Sequence, residues 1–283
     1  MPTVDVDLGV TCRDVQSRHW WVPLMGTLLD VQKRGVANIR QLLTEGSALT
    51  DHNANFIVSK FMAGNSEWLW MVEDDTSPPP DSLEKLLSLG RPFVAGAYYL
   101  KMPPYTLVAY FRNTAEDYAK DAKKVVGMYR PPMGWERGEI FEVDSVGMGN
   151  TLIHRSVFEK IKKDHILFQR KTTGTLVPIH KSMVDKASLK EAPDCVRLGM
   201  RRVQRMVYKE PLVYPKDDTQ LWPFYAFENT RTQDHWFCEL ANNVGFKPWL
   251  DTSLESKHWG MKSITGQNNR QYGQRILEEL GDS

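Results

Sequence analysis

The run WLWMVEDDTSPPPD, starting at Trp68, constrains this chain more than any other segment. Five consecutive apolar residues, Trp68 to Val72, are too few for a helix and run directly into charge. A buried parallel strand explains such a run, because both faces of that strand are covered. Glu73, Asp74 and Asp75 follow at its C-terminal end, where open α/β sheets bind ligands. Three adjacent carboxylates beside a core repel one another and call for a positive partner. A divalent cation is the economical one, since hard ions take oxygen ligands, and an acidic turn in solvent is the plainer alternative. If strand geometry continues, Glu73 and Asp75 point the same way and form the ligand-facing pair, while Asp74 faces elsewhere.

The flanking pattern alternates helix and strand. Helices are expected over Trp20–Val31, with Pro23 in the first turn, over Asn53–Met62 capped by Asp51, and over Asp81–Leu89 capped by Asp81 with Glu84 three residues on. Strands are expected over Phe93–Leu100, Leu107–Phe111 and Phe141–Val143, with a short segment around Val36–Leu43. Residues 113–140 read as an excursion from the core. Gly147 and Gly149 bracket a tight turn before a strand and helix over Thr151–Ile161. Either close ligand approach or an ordinary turn uses such glycines. Asp234–Asn243 is a helix with Phe237, Leu240, Ala241 and Val244 on one stripe, ended by Gly245. Lys247–Leu250 is a strand, and His258 falls in the loop beyond. Residues 165–222, rich in Lys, Arg and scattered Pro, read as a long insertion into a single domain spanning 1–283.

Composition excludes several classes. The 36 Lys and Arg nearly balance the 35 Asp and Glu, so charge alone does not hold nucleic acid. The three cysteines, Cys12, Cys195 and Cys238, are widely spaced and include no CxxC pair, which argues against a thiolate zinc site or disulfide framework and for a reducing cytoplasm. No stretch approaches the ~20 apolar residues of a membrane span, and the N-terminus lacks signal-peptide character. Neither GxGxxG nor GxxxxGK[ST] occurs, against dinucleotide redox enzymes and P-loop NTPases.

With its Trp-Leu start and Pro-Pro-Asp end, the acidic segment resembles the D-x-D motif of the GT-A glycosyltransferases, especially the family-2-like enzymes. Glu73 stands in the first acidic position, usually Asp, and Asp75 in the second. FVAGAYYLKMPPYTLVAY from Phe93, VDSVGMGNTLIHRSVFEKI from Val143 and TQDHWFCELANNVGFKPWLDTSLESKHWG from Thr232 resemble later family segments in the same order. The resemblance implies an α/β, Rossmann-like GT-A fold, a mixed sheet flanked by helices. It implies a nucleotide-diphosphate sugar as donor and Mn²⁺ or Mg²⁺ bridging its phosphates. Glu73, Asp75 and the late His258 would hold the metal. Asp234, which a helix N-terminus also explains structurally, would be the general base of an inverting transfer. Arg13, Asn55, Asp74, Asp144, Gly147 and Gly149 would line the donor side, although the residue before Asn55, commonly Arg in relatives, is Ala54 here.

The acceptor is open between a saccharide and a nucleic acid. The run RLGMRRVQRMVYK from Arg197 is basic without an acidic residue. It suits either a solvated face or an anionic acceptor, and Tyr208, Tyr214, Trp222, Phe224 and Tyr225 offer rings for stacking. A transferase acting on hydroxylated DNA bases belongs to this second reading. Other classes with clustered acids are a nucleotidyltransferase making nucleotide sugars, a non-enzymatic sugar- or nucleotide-binding relative, and a two-metal nuclease or phosphatase. The first lacks a Gly-rich triphosphate loop here, and the last lacks a second carboxylate set.

Overall fold

The structure is a computed structural model; it describes residues 3–12, 18–46, 50–114, 116–117, 119, 128–169, 176–182, 221–226, 232–259 and 263–264. Its centre is a seven-stranded mixed sheet in the spatial order Ala37–Gly46, Val4–Cys12, Trp68–Glu73, Asn150–His154, Phe93–Gly96, Trp249–Asp251, Ile140–Glu142. The strands are β1 (Val4–Cys12), β2 (Ala37–Gly46), β3 (Trp68–Glu73), β5 (Phe93–Gly96), β8 (Ile140–Glu142), β10 (Asn150–His154) and β13 (Trp249–Asp251). Strands β2, β1 and β3 run parallel, as do β5 and β13, while β10 is antiparallel to both β3 and β5, and β8 to β13.

Both faces of this sheet are covered, which is why its central strands carry continuous apolar runs. Leu69 and Met71 of β3 face one core, with Phe93, Ala95 and Ile153. Trp70 and Val72 face the other, with Val6, Leu8, Val10 and Leu152. The first face is closed by α2 (Thr50–Ala63), α4 (Arg155–Asp164) and α5 (Gln233–Asn243) through Ile57, Phe61, Phe158 and Phe237. The second is closed by α1 (Arg18–Lys33) and α3 (Ser82–Ser88) through Leu24, Leu28, Leu83 and Leu86. Helix α5 ends at Asn243 with Val244 as its C-cap residue, after which Gly245 takes φ +90°, as its place beyond the stripe predicts.

Several local expectations change. Helix α1 starts at Arg18, so Pro23 lies inside it rather than in its first turn. The short segment near Val36 is a ten-residue edge strand, and the strand expected to reach Leu100 ends at Gly96, with only a single bridge, Tyr99 to Leu107, beyond. The strand expected over Lys247–Leu250 spans Trp249–Asp251. Asp81 makes no side-chain cap to α3; its carboxylate pairs instead with Lys85 one turn on, at 2.7 Å. Asp51 lies within α2 and accepts from the His52 backbone N–H. Within 165–222, β11 (His165–Gln169) pairs antiparallel with β12 (Leu176–His180). The basic run and the rings of Tyr208 and Tyr214 lie outside the described residues. Trp222, Phe224 and Tyr225 are buried in the first core, so the structure removes them from the rings offered to a ligand. Phe224 packs edge-on against Phe158 and Tyr225 stacks on Phe237.

One half-buried charge ties the C-terminal end of helix α2 to the start of α4. The Arg155 guanidinium donates to the carbonyls of Phe61, Met62, Gly64 and Ser66 and lies over the Phe61 ring at 4.4 Å. Carbonyls at a helix C-terminus lack intrahelical partners, and a cation there also meets the favourable end of the dipole. Arg155→Ala is therefore expected to cost about 2–4 kcal/mol, read as a lower urea midpoint at unchanged slope. A midpoint within error of wild type would refute this role. No helix among the described residues is long and apolar enough to cross a membrane.

Candidate metal and acidic site

The C-terminal ends of β1, β3, β5 and β13 meet the N-terminal end of β10 on one edge of the sheet. Thr11 pairs with Glu73, Val72 with Asn150, and Asp251 with Gly96. A buried polar clip braces this edge: the Trp70 indole N–H donates to Asn150 Oδ1 at 3.0 Å, and the Asn150 amide donates to Ser256 Oγ at 3.1 Å and Ser82 Oγ at 3.3 Å.

After Glu73 the chain turns through Asp74 and Asp75 and forms a second small sheet. Strand β4 (Thr76–Ser77) pairs antiparallel with β14 (Lys257–Trp259), which pairs with β15 (Ser263–Ile264). The register sets His258 opposite Thr76. Trp259 reinforces it, its backbone N–H donating to the Asp75 carbonyl at 2.6 Å and its indole N–H to Ser77 Oγ at 2.7 Å. His258 thus lies on a strand, not in the expected loop, and that strand carries it to the acidic turn.

One ligand atom each from Glu73, Asp75 and His258 then lies within 4.8 Å of the others, and all three residues are half-buried. The His258 Nδ1–H must donate to the Tyr99 carbonyl at 2.6 Å, since a carbonyl only accepts. That leaves Nε2 facing Asp75 Oδ1 at 3.5 Å. A ring held through one nitrogen so that the other is presented is the usual outer support of a metal-binding histidine. The donor set of two carboxylates and an imidazole suits a divalent ion such as Mn²⁺. Asp75 also pairs with the Lys101 ammonium. Burial alone would raise the Asp75 carboxyl, but the hydrogen bonds and charges of His258 and Lys101 outweigh it and hold the group at about 2.

Asp234 sits in the first turn of α5, second residue of the helix. Its charge reaches the same neighbourhood. The buried Tyr98 phenol is pushed up by burial first, then by Glu73, Asp234 and Asp75 together. Tyr110 and Tyr225 are raised by burial and then by Asp234. The Tyr98 ring lies edge-on to His258 at 5.2 Å.

The glycines of the preceding turn have a structural reason in Tyr98. A Cβ at Gly147 would meet the Tyr98 hydroxyl at 1.8 Å, and one at Gly149 would meet Thr76 Oγ1 at 2.8 Å and the Tyr98 ring at 3.1 Å. Neither takes a positive φ. Gly147→Ala is expected to destabilise by about 1–3 kcal/mol, and Tyr98→Phe in the same chain to recover part of it. Additive losses in that double mutant would disprove the contact.

Asn55 and Asp144, expected on the donor side, make side-chain contacts within the chain. The Asn55 amide donates to the Tyr225 carbonyl at 2.7 Å, and its oxygen accepts the Tyr225 N–H at 2.9 Å. The Asp144 carboxylate accepts from the Arg112 N–H at 2.8 Å and from Lys247 at 2.9 Å. The Asp74 backbone N–H donates to the Thr11 carbonyl, and Asp74 contributes no atom to the three-residue cluster. Arg13 lies outside the described residues. Cys238 is buried, and burial pushes its thiol up to about 12, so it offers no thiolate.

Three residues at this edge escaped the sequence reading: Lys101, Tyr98 and His235. His235 follows Asp234, stacks on Tyr129 with centroids 4.1 Å apart, and meets buried Ser145 Oγ through Nδ1 at 2.6 Å. Its only sequence signal was adjacency to an acid at a helix start. A separate hollow of about 430 Å³ opens at the β8 edge between Phe111, Trp135, Ile140 and Phe141, and none of the acidic cluster lines it.

No family model matches the chain, and no curated protein matches it in sequence. Among solved structures, A197 from STIV aligns over 94% of this chain and 92% of its own, with 12% identity and a TM-score of 0.48.

Proposed function

We propose that this protein is a metal-dependent glycosyltransferase with a GT-A-type fold, moving a sugar from a nucleotide-diphosphate donor to an acceptor hydroxyl with inversion. The observation that carries the reading is the convergence of Glu73, Asp75 and His258 on one point at the ligand-binding edge of a mixed α/β sheet. Two of these residues follow a buried strand and the third arrives on a distant one.

Glu73, Asp75 and His258 would hold Mn²⁺ or Mg²⁺, whose contribution is to neutralise charge on the leaving diphosphate. The Tyr99 carbonyl keeps the His258 ring in orientation. Asp234 takes the proton from the acceptor hydroxyl as that oxygen attacks the anomeric carbon. Its place in the first turn of α5 puts the carboxylate near backbone N–H groups left open by the helix. The charge it shares with Glu73 and Asp75 at Tyr98 supports one common site.

A donor panel tests the reading. UDP-, GDP-, ADP- and CMP-sugars are incubated with the protein, with and without Mn²⁺ or Mg²⁺, and donor binding and released nucleotide are measured in the same samples. Metal-dependent binding or release with one donor is expected. Neither binding nor release with metal present would refute it. Pyrophosphate formed from a nucleoside triphosphate and a sugar phosphate would point to nucleotide-sugar synthesis instead.

A further inference from the structure

We propose that Lys101 is the resident counter-cation of the acidic site, displaced from Asp75 when a divalent ion enters and then paired with the phosphates that the ion carries. This rests on the metal site proposed above and names the residue that the site exchanges. The ammonium of Lys101 pairs with Asp75 Oδ2, while Asp75 Oδ1 faces His258 Nε2. Lys101 therefore occupies one of the two oxygens that a metal would use. Two like positive charges cannot share one carboxylate at contact without strong repulsion, so metal and ammonium compete.

The local chain suits an exchange. Lys101 follows the bridge between Tyr99 and Leu107, and the turn beyond it is closed by the Leu100 N–H to the Thr106 carbonyl at 2.9 Å and the Tyr105 N–H to the Met102 carbonyl at 2.8 Å. The backbone is thus held on both sides of the lysine. The residues flanking it open to solvent, Leu100 at 41% and Met102 at 74% exposure. A lysine presents a compact charge on a flexible four-carbon stem and needs no fixed approach direction, so it can change partner without moving the backbone.

Stability gives a weaker account of this pair. A partly exposed ion pair contributes little to folding, and Asp75 is already positioned by the Trp259 N–H at its carbonyl. Exchange gives the lysine a use in both states. With the site empty of metal it offsets the charge of Asp75, and with metal and diphosphate present it meets the phosphate oxygens.

The test uses the full chain and two probes, Mn²⁺ alone and then inorganic pyrophosphate in saturating Mg²⁺. Lys101→Met is expected to bind Mn²⁺ roughly tenfold more tightly than wild type, because the competing cation is gone. The same variant is expected to bind pyrophosphate about tenfold more weakly, having lost a charge-assisted hydrogen bond. Lys101→Arg, which keeps the charge, should hold Mn²⁺ affinity near wild type, so that a gain seen only in Lys101→Met is assigned to loss of the positive charge. Thermal melts of all three chains confirm folding. If wild type binds Mn²⁺ and Lys101→Met binds it equally or less well, the exchange is overturned while the metal site stands. Tighter Mn²⁺ with unchanged pyrophosphate overturns the phosphate half. If neither chain binds Mn²⁺, the metal site itself fails and the exchange falls with it.

Discussion

Asp75→Ala is expected to weaken Mn²⁺ binding by about two orders of magnitude or more and to remove metal-dependent donor turnover. The size follows from its position. Asp75 gives one ligand atom to the cluster and is also the group that His258 and Lys101 both address. Removing it leaves Glu73 and His258 as an incomplete set and frees the Lys101 ammonium beside them. The fold should tolerate the change. The contact that aligns β4 with β14 here runs from the Trp259 N–H to the Asp75 backbone carbonyl, which Ala retains. Calorimetric Mn²⁺ titration and donor release on the same preparation read both effects. Metal-stimulated release that survives at the wild-type level would sink the assignment of Asp75 as a ligand.

Asp234→Asn is expected to leave donor and metal binding within about twofold of wild type and to lower transfer by about 10²- to 10⁴-fold. Asn preserves the shape of the side chain in the first turn of α5 but cannot accept a proton. The interaction lost therefore belongs to the chemical step rather than to the ground state. Single-turnover transfer and equilibrium donor binding separate the two quantities. Parallel losses in binding and rate would assign Asp234 to the donor pocket or to the helix end, not to catalysis. The contrast with Asp75 is the stronger check, since the two carboxylates both raise the Tyr98 phenol, which burial raises first, yet are given different roles.

How much was legible varies by element, for physical reasons. Strand β3 was legible because its apolar run is buried on both faces, and burial writes itself into composition. Helix α5 was legible because the stripe at Phe237, Leu240 and Ala241 packs on the core. Asp81 stands at the N-cap position of α3 as the sequence predicts, but its side chain does not cap, because a carboxylate there has two competing partners, the helix N–H groups and Lys85, and it pairs with the latter. Trp222, Phe224 and Tyr225 were misread as ligand-facing because an aromatic cluster looks the same in a core as in a binding face. Asn55 shows the same ambiguity: a polar residue on an apolar helix face signals a polar contact, but not that the contact is the Tyr225 backbone.

The acidic turn after a buried strand, the alternation of helix and strand around it, and the three residue types able to bind a cation are all written in local stretches of the chain. Local periodicity and composition carry that information, since each depends on neighbours only a few residues away. That His258 reaches Asp75, that Tyr98 fills the space over Gly147 and Gly149, and that Lys101 sits on Asp75 emerge from the folded arrangement alone. Those contacts depend on strand register between segments far apart in the chain, β4 with β14 above all. A shift of one residue there would turn His258 to the opposite face, because side chains alternate along a strand.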